Sequence, residues 1–122
     1  MGRIEGVTLS GTDGAWYHQD AEPWTPTAED LQAAEDDVIE EIRRREPAIF
    51  ERLSDYRCQF IGVVVDGERR IFYNFFCCDD EDVHDSWRSE PVFVLDGGDD
   101  YFQLEYDLDT RTCVRFTVNG EA

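Results

Sequence analysis

The chain has 122 residues, of which 41% are hydrophobic, and 29 Asp and Glu stand against 11 Arg and no Lys, a formal net charge of −18. Leu, Ile, Val and Phe supply 30 residues, above the roughly 20% below which a charged chain stays disordered, so a single folded domain over 1–122 is expected. The charge argues against nucleic acid as a partner, no apolar run approaches the ~20 residues that span a bilayer, and the N-terminus lacks the apolar segment of a signal peptide, which together predict a cytoplasmic protein.

Residues 1–26 read as a leader. It holds a short strand over Arg3 to Leu9, a Gly/Asp stretch from Ser10 to Gly14, and the aromatics Trp16, Tyr17 and Trp24. Aromatics at this density are expected to plug one end of a core. Residues 27–56 read as helices. Thr25 or Thr27 can cap the start, Pro26 suits a first turn, and Glu29 and Asp30 suit the dipole. Leu31, Ala34, Val38 and Ile42 recur at helical spacing, with Asp36, Asp37, Glu40 and Glu41 off that face. Arg43, Arg44 and Arg45 fall in the last turn, and Pro47 ends this helix at about Arg45. A short second helix carries Ile49, Phe50 and Leu53.

Residues 57–122 read as antiparallel sheet. Asp66-Gly67 between the apolar runs Phe60–Val65 and Arg69–Phe76 is a hairpin signal. A two-residue turn pairs Val65 with Glu68, so Phe60 faces Tyr73. Both faces of this hairpin are apolar, which predicts a central place with cover on both sides, or partial cover by a second subunit. A polar loop over 79–90 leads to a strand from Val92 to Leu95. Asp96 to Asp100 turn it into Tyr101 to Leu108, and Asp109-Thr110-Arg111 turn that into Thr112 to Val118. Pairing Leu108 with Thr112 sets Phe102 against Val118, Leu104 against Phe116 and Tyr106 against Val114 on one face. It sets Glu105 against Arg115 on the other. The expected class is α+β: a long N-terminal helix and a short one packed on a four-stranded antiparallel meander, a two-layer sandwich.

The charge has two readings. In concentrated salt, carboxylates hold water and cations while a short Debye length screens their repulsion; their even spread along the chain favours this salt-adapted reading. Otherwise the acids form a face for a basic protein partner. The chain carries no phosphate loop, dinucleotide fingerprint or nucleophile elbow, so no catalytic, cofactor-binding or metal residues are assigned. His84, among Asp79, Asp80, Glu81, Asp82 and Asp85, lacks the EF-hand spacing for a cation. Cys58, Cys77, Cys78 and Cys113 lack metal-ligand spacing and are expected to be reduced and mostly small core residues. The candidate interaction residues are Trp87 and Arg88, of types that dominate interfaces, the outer stripe Phe93, Leu95 and Tyr101, and the acids Asp79, Asp80 and Asp82.

Asp96-Gly97-Gly98, Tyr101-Phe102, Tyr106-Asp107 and Asn119-Gly120-Glu121-Ala122 form a C-terminal pattern. With Tyr56-Arg57 and the aromatic strand around Asn74, it resembles a family of small bacterial proteins. The resemblance implies a cystatin-like sheet and no particular chemistry. The expected function is a non-enzymatic protein-interaction domain of immunity or inhibitor type, acting as a monomer or homodimer in a salt-adapted bacterium. The alternative is a small-molecule-binding or hydrolytic domain, with a pocket between helix and sheet lined by Tyr73, Tyr106, Trp16 and Trp24.

Overall fold

The computed structural model describes residues 4, 6–8, 22–77 and 101–118. In chain order they form β1 (Gly6–Thr8), β2 (Glu22–Pro23), α1 (Ala28–Arg45), α2 (Pro47–Glu51), a 3-10 turn (Leu53–Asp55), β3 (Tyr56–Val65), β4 (Glu68–Cys77), β5 (Tyr101–Asp107) and β6 (Thr112–Val118). Thr27 sets the start of α1. Its hydroxyl accepts the Asp30 N–H at 3.1 Å, and the Asp30 carboxylate accepts the Thr27 N–H at 2.9 Å. This reciprocal capping box satisfies donors that a helix start leaves open. Ala34, Val38 and Ile42 are buried as their spacing predicts, and Ile39 joins them. Pro47, at the first position of α2, ends α1 at Arg45.

The strand order is β1-β3-β4-β5-β6, with β2 also pairing with β3. From β3 to β6 successive neighbours are antiparallel, but the sheet is mixed and wider than four antiparallel strands. β1 lies parallel to β3, because a helix intervenes between the two strands and brings the chain back in the same direction. Gly6 permits the approach: a Cβ there would stand 2.1 Å from the Cys58 carbonyl oxygen. β4 pairs directly with β5 from Arg70–Asp107 to Phe76–Tyr101, so no strand is interposed between them. The expected Val92–Leu95 strand lies outside the described residues.

The β3–β4 hairpin has the expected register throughout, from Val65–Glu68 to Tyr56–Cys77. Asp66 and Gly67 take φ of 53° and 83°, the left-handed pair that matches the twist of two-residue hairpins. The β5–β6 hairpin keeps the expected pairs only from Phe102–Val118 to Glu105–Arg115. Beyond a bulge, Tyr106 meets Cys113 and Asp107 meets Thr112, so Val114 loses its expected partner. The turn is the cause. Asp107 Oδ1 accepts the N–H groups of Asp109 and Thr110, both at 3.0 Å, and Arg111, at φ 60°, returns its N–H to the Asp107 carbonyl. This wider loop takes up Leu108, and Val114 is left over as the bulge and stands 43% exposed.

One face of the sheet meets α1 and α2. Rings from four strands form a continuous row on it: Phe60 against Tyr73, Tyr73 stacked on Phe75, Phe75 stacked on Phe102 at 4.4 Å, and Phe102 on Phe116. Trp24 packs on this core, crossing β3 at Gly62, where a Cβ would lie 2.3 Å from the Trp24 carbonyl oxygen. The opposite face carries Gln59, Ile61, Phe72, Asn74, Phe76 and Tyr101, all buried. The hairpin is thus buried on both faces. No helix among the described residues is long and apolar enough to cross a membrane.

Candidate functional site

Among the residues expected to form an interaction surface, Trp87, Arg88, Phe93, Leu95, Asp79, Asp80 and Asp82 lie outside the described residues, as does His84. Tyr101 opens β5 opposite Phe76 and is 5% exposed, so its ring belongs to the protein's own interior.

The described polar residues collect in two places. The first is the outer face. Asn74 donates to Gln59 at 2.9 Å and Gln103 donates to Asn74 at 3.3 Å, a buried amide row across β3, β4 and β5. Beside it Arg70 donates to Glu105 at 3.0 Å, to Asp107 at 3.3 Å and to Glu68 at 3.4 Å. Glu105 and Asp107 are each 1% exposed. Burial pushes the Asp107 carboxyl up, but hydrogen bonds with Glu68, Thr110 and Asp109 and the Arg70 charge bring it below its ordinary range. Glu68 moves up, chiefly through its hydrogen bond with Asp107. Glu105 was expected to pair with Arg115 across the strands; the register holds, yet the carboxylate turns to Arg70. This cluster anchors the β5–β6 turn to β4, and Arg69 repeats the device with Asp109 at 2.8 Å.

The second place is a groove of about 420 Å³ between α1 and the β5–β6 hairpin. Asp37, Glu40, Glu41, Arg44 and Arg45 line one wall; Tyr106, Arg111, Thr112 and Cys113 line the other. The Tyr106 hydroxyl donates to Asp37 at 2.6 Å. Burial first, and then this carboxylate, push the Tyr106 pKa up to about 12. Burial also pushes the Cys113 thiol up. Glu41 is bracketed by Arg44 and Arg45. Both shifts favour the protonated phenol and thiol, and the groove presents hydrogen-bonding groups and charges of both signs.

The expected pocket residues separate. Tyr106 lines the groove. Tyr73 is buried in the core, its hydroxyl without a hydrogen-bond partner among the described residues. Trp24 packs beneath Arg69, and Trp16 lies outside the described residues. Sequence reasoning missed Asp37, Arg111 and Cys113 as members of one site. Helical spacing placed Asp37 off the buried face, but only the bulge sets Cys113 beside Tyr106. Cys58 and Cys113 are free thiols. Cys77, the last residue of β4, is disulfide-bonded, against the expectation of reduced thiols, and its partner lies outside the described residues. Among the described residues no group of three or more His, Cys, Asp or Glu is placed to hold a metal ion.

Compared with protein-family models, curated proteins and solved structures, the chain matches none.

Proposed function

We propose that this chain is a non-enzymatic protein-interaction domain that presents the acidic outer face of α1 to a basic partner, in the manner of an immunity or inhibitor protein. The observation that carries the reading is the Tyr106–Asp37 pair. Glu29, Asp36, Asp37 and Glu40 are exposed on α1, and the Asp37 carboxylate is held in place by a buried phenol. A pre-oriented charge costs less to bind than a free one, and an acidic face accelerates encounter with a basic surface. The protonated Tyr106 and Cys113 support binding over nucleophilic catalysis. The wider reading is that of a cytoplasmic protein of a salt-adapted bacterium, monomer or homodimer. The antiparallel run from β3 to β6 under one long helix supports the cystatin-like layout that the resemblance to small bacterial proteins implies.

The test is affinity capture from the host's lysate on the wild-type chain and on the triple variant Asp36→Lys, Asp37→Lys, Glu40→Lys. A basic protein retained by the first and lost by the second is expected. The same proteins on both would overturn the reading. The groove's volume favours a second reading, a small-molecule site, since ligand pockets start at roughly 300 Å³. A compound that raises the Tm of the wild type but not of Asp37→Ala would favour it.

A further inference from the structure

β6 ends the strand order among the described residues. Its chemistry departs from that of the rest of the chain. From Thr110 to Val118 there is no acid, although acids number 29 in 122 residues. Thr112, Val114, Arg115 and Thr117 are exposed, and Val114 is the exposed large hydrophobic of the described residues.

The arginines divide in the same way. Arg43 holds Glu40, Arg44 and Arg45 hold Glu41, Arg69 holds Asp109, and Arg70 holds Glu105 and Asp107. Arg111 and Arg115, both exposed, hold no carboxylate among the described residues. The last turn of α1 closes over the same corner, with Arg45 above the Phe116 ring at 5.7 Å. That corner also holds Asp37, Glu40 and Glu41, the last two paired with Arg43, Arg44 and Arg45 and the first with the Tyr106 hydroxyl. From Arg111 to Val118, at the sheet edge of the described residues, the exposed charges are therefore those of Arg111 and Arg115.

An edge strand presents a row of backbone donors and acceptors. A segment laid along it gains main-chain hydrogen bonds, and its alternate side chains supply specificity. Charge decides the class of segment. At physiological ionic strength the Debye length is about 8 Å, so a side chain docked on β6 feels Arg115 and Arg111 more strongly than it feels carboxylates beyond that distance. We propose that the outer edge of β6 docks an extended acidic segment of a partner protein as an added strand. This does not rest on the acidic face of α1, which lies on another element and selects the opposite charge.

The probe is a fluorescein-labelled peptide of about eight alternating Val and Glu residues, one strand's length. The control carries Lys in place of Glu. With the full chain at about 0.15 M NaCl, the acidic peptide is expected to bind, roughly tenfold or more tighter than the control. Amide exchange over Thr112–Val118 slows in that complex. The exposed substitution Arg115→Glu, checked for an unchanged circular dichroism spectrum, weakens the acidic peptide about tenfold and strengthens the Lys peptide. The α1 triple variant, which adds positive charge across the groove from Arg111, binds the acidic peptide no more weakly than wild type does. Equal binding of both peptides, no binding, or indifference to Arg115→Glu overturns the proposal. So does a concentration-dependent dimer that Arg115→Glu abolishes, which would assign the edge to a second copy of this chain.

Discussion

Burial and the Asp37 carboxylate hold the Tyr106 phenol in its protonated form, and the consequence is measurable. Tyr106 is pushed up to about 12 by burial and by the Asp37 carboxylate, whereas an unfolded tyrosine ionises near pH 10. A raised folded pKa means that the native state prefers the protonated phenol. Its contribution to stability is therefore whole below about pH 10 and is lost as pH rises toward 12. Asp37→Ala should lower the Tyr106 pKa and shift alkaline unfolding to lower pH, read by phenolate absorbance; an unchanged titration would count against the pair. Arg70 supports the opposite kind of site. It is the guanidinium held between buried Glu105 and Asp107, and removing one partner of a buried ion pair leaves charge uncompensated. Arg70→Met is expected to destabilise by about 3 kcal/mol at neutral pH. Asp107 lies below its ordinary range, so its own stabilisation exists above about pH 4 and is lost as pH falls through the folded value. The penalty of Arg70→Met should accordingly shrink in acid as the Asp107 carboxylate takes its proton. A urea-unfolding difference that stays constant down to acid pH would show that charge is not the cause.

At the scale of elements, the helix and the first hairpin were legible because their signals are local. The Thr27 cap, the spacing from Leu31 to Ile42, Pro47 and the Asp66-Gly67 turn each act within a few residues. The second hairpin was legible only in part. Its register was right from Phe102 to Glu105 and slipped at Tyr106, because the Asp107 carboxylate captures two backbone N–H groups and widens the turn. That choice is made in three dimensions, where Arg70 and Glu68 hold the same carboxylate. The seat of the leader on the sheet is likewise a contact between elements. Trp24 and Pro26 lie so close over Gly62 that a methyl group would meet the Trp24 carbonyl oxygen at 2.3 Å and Pro26 Cδ at 2.6 Å. Gly62→Ala should push this segment off β3 and cost about 2 kcal/mol. A thermal midpoint equal to wild type would mean that the segment moves without penalty.

For the whole molecule the governing quantity is the charge of −18. Like charges repel more in the compact state than in the unfolded chain, and the Debye length falls from about 10 Å at 0.1 M to about 3 Å at 1 M salt. A salt-adapted protein should gain stability over that range. We expect the Tm to rise by more than about 5 °C between those concentrations, roughly 1 kcal/mol for a domain of this size. A Tm indifferent to salt would remove the adaptation reading and leave the basic partner as the explanation of the acids. The candidate site was the least legible part. Its members, Asp37, Tyr106, Arg111 and Cys113, come from a helix, two strands and a turn, and no spacing in the chain joins them. By itself the sequence determined the α+β class, the long capped helix, the apolar hairpin and the acidic character, since propensity, periodicity and charge are properties of neighbouring residues. Only the tertiary structure decided the parallel entry of β1, the bulge at Val114, the capture of Glu105 by Arg70 rather than Arg115, and the ion pairs that leave Arg111 and Arg115 without a carboxylate among the described residues. Each is a competition between distant groups for one partner, and it is resolved only when packing brings the competitors together.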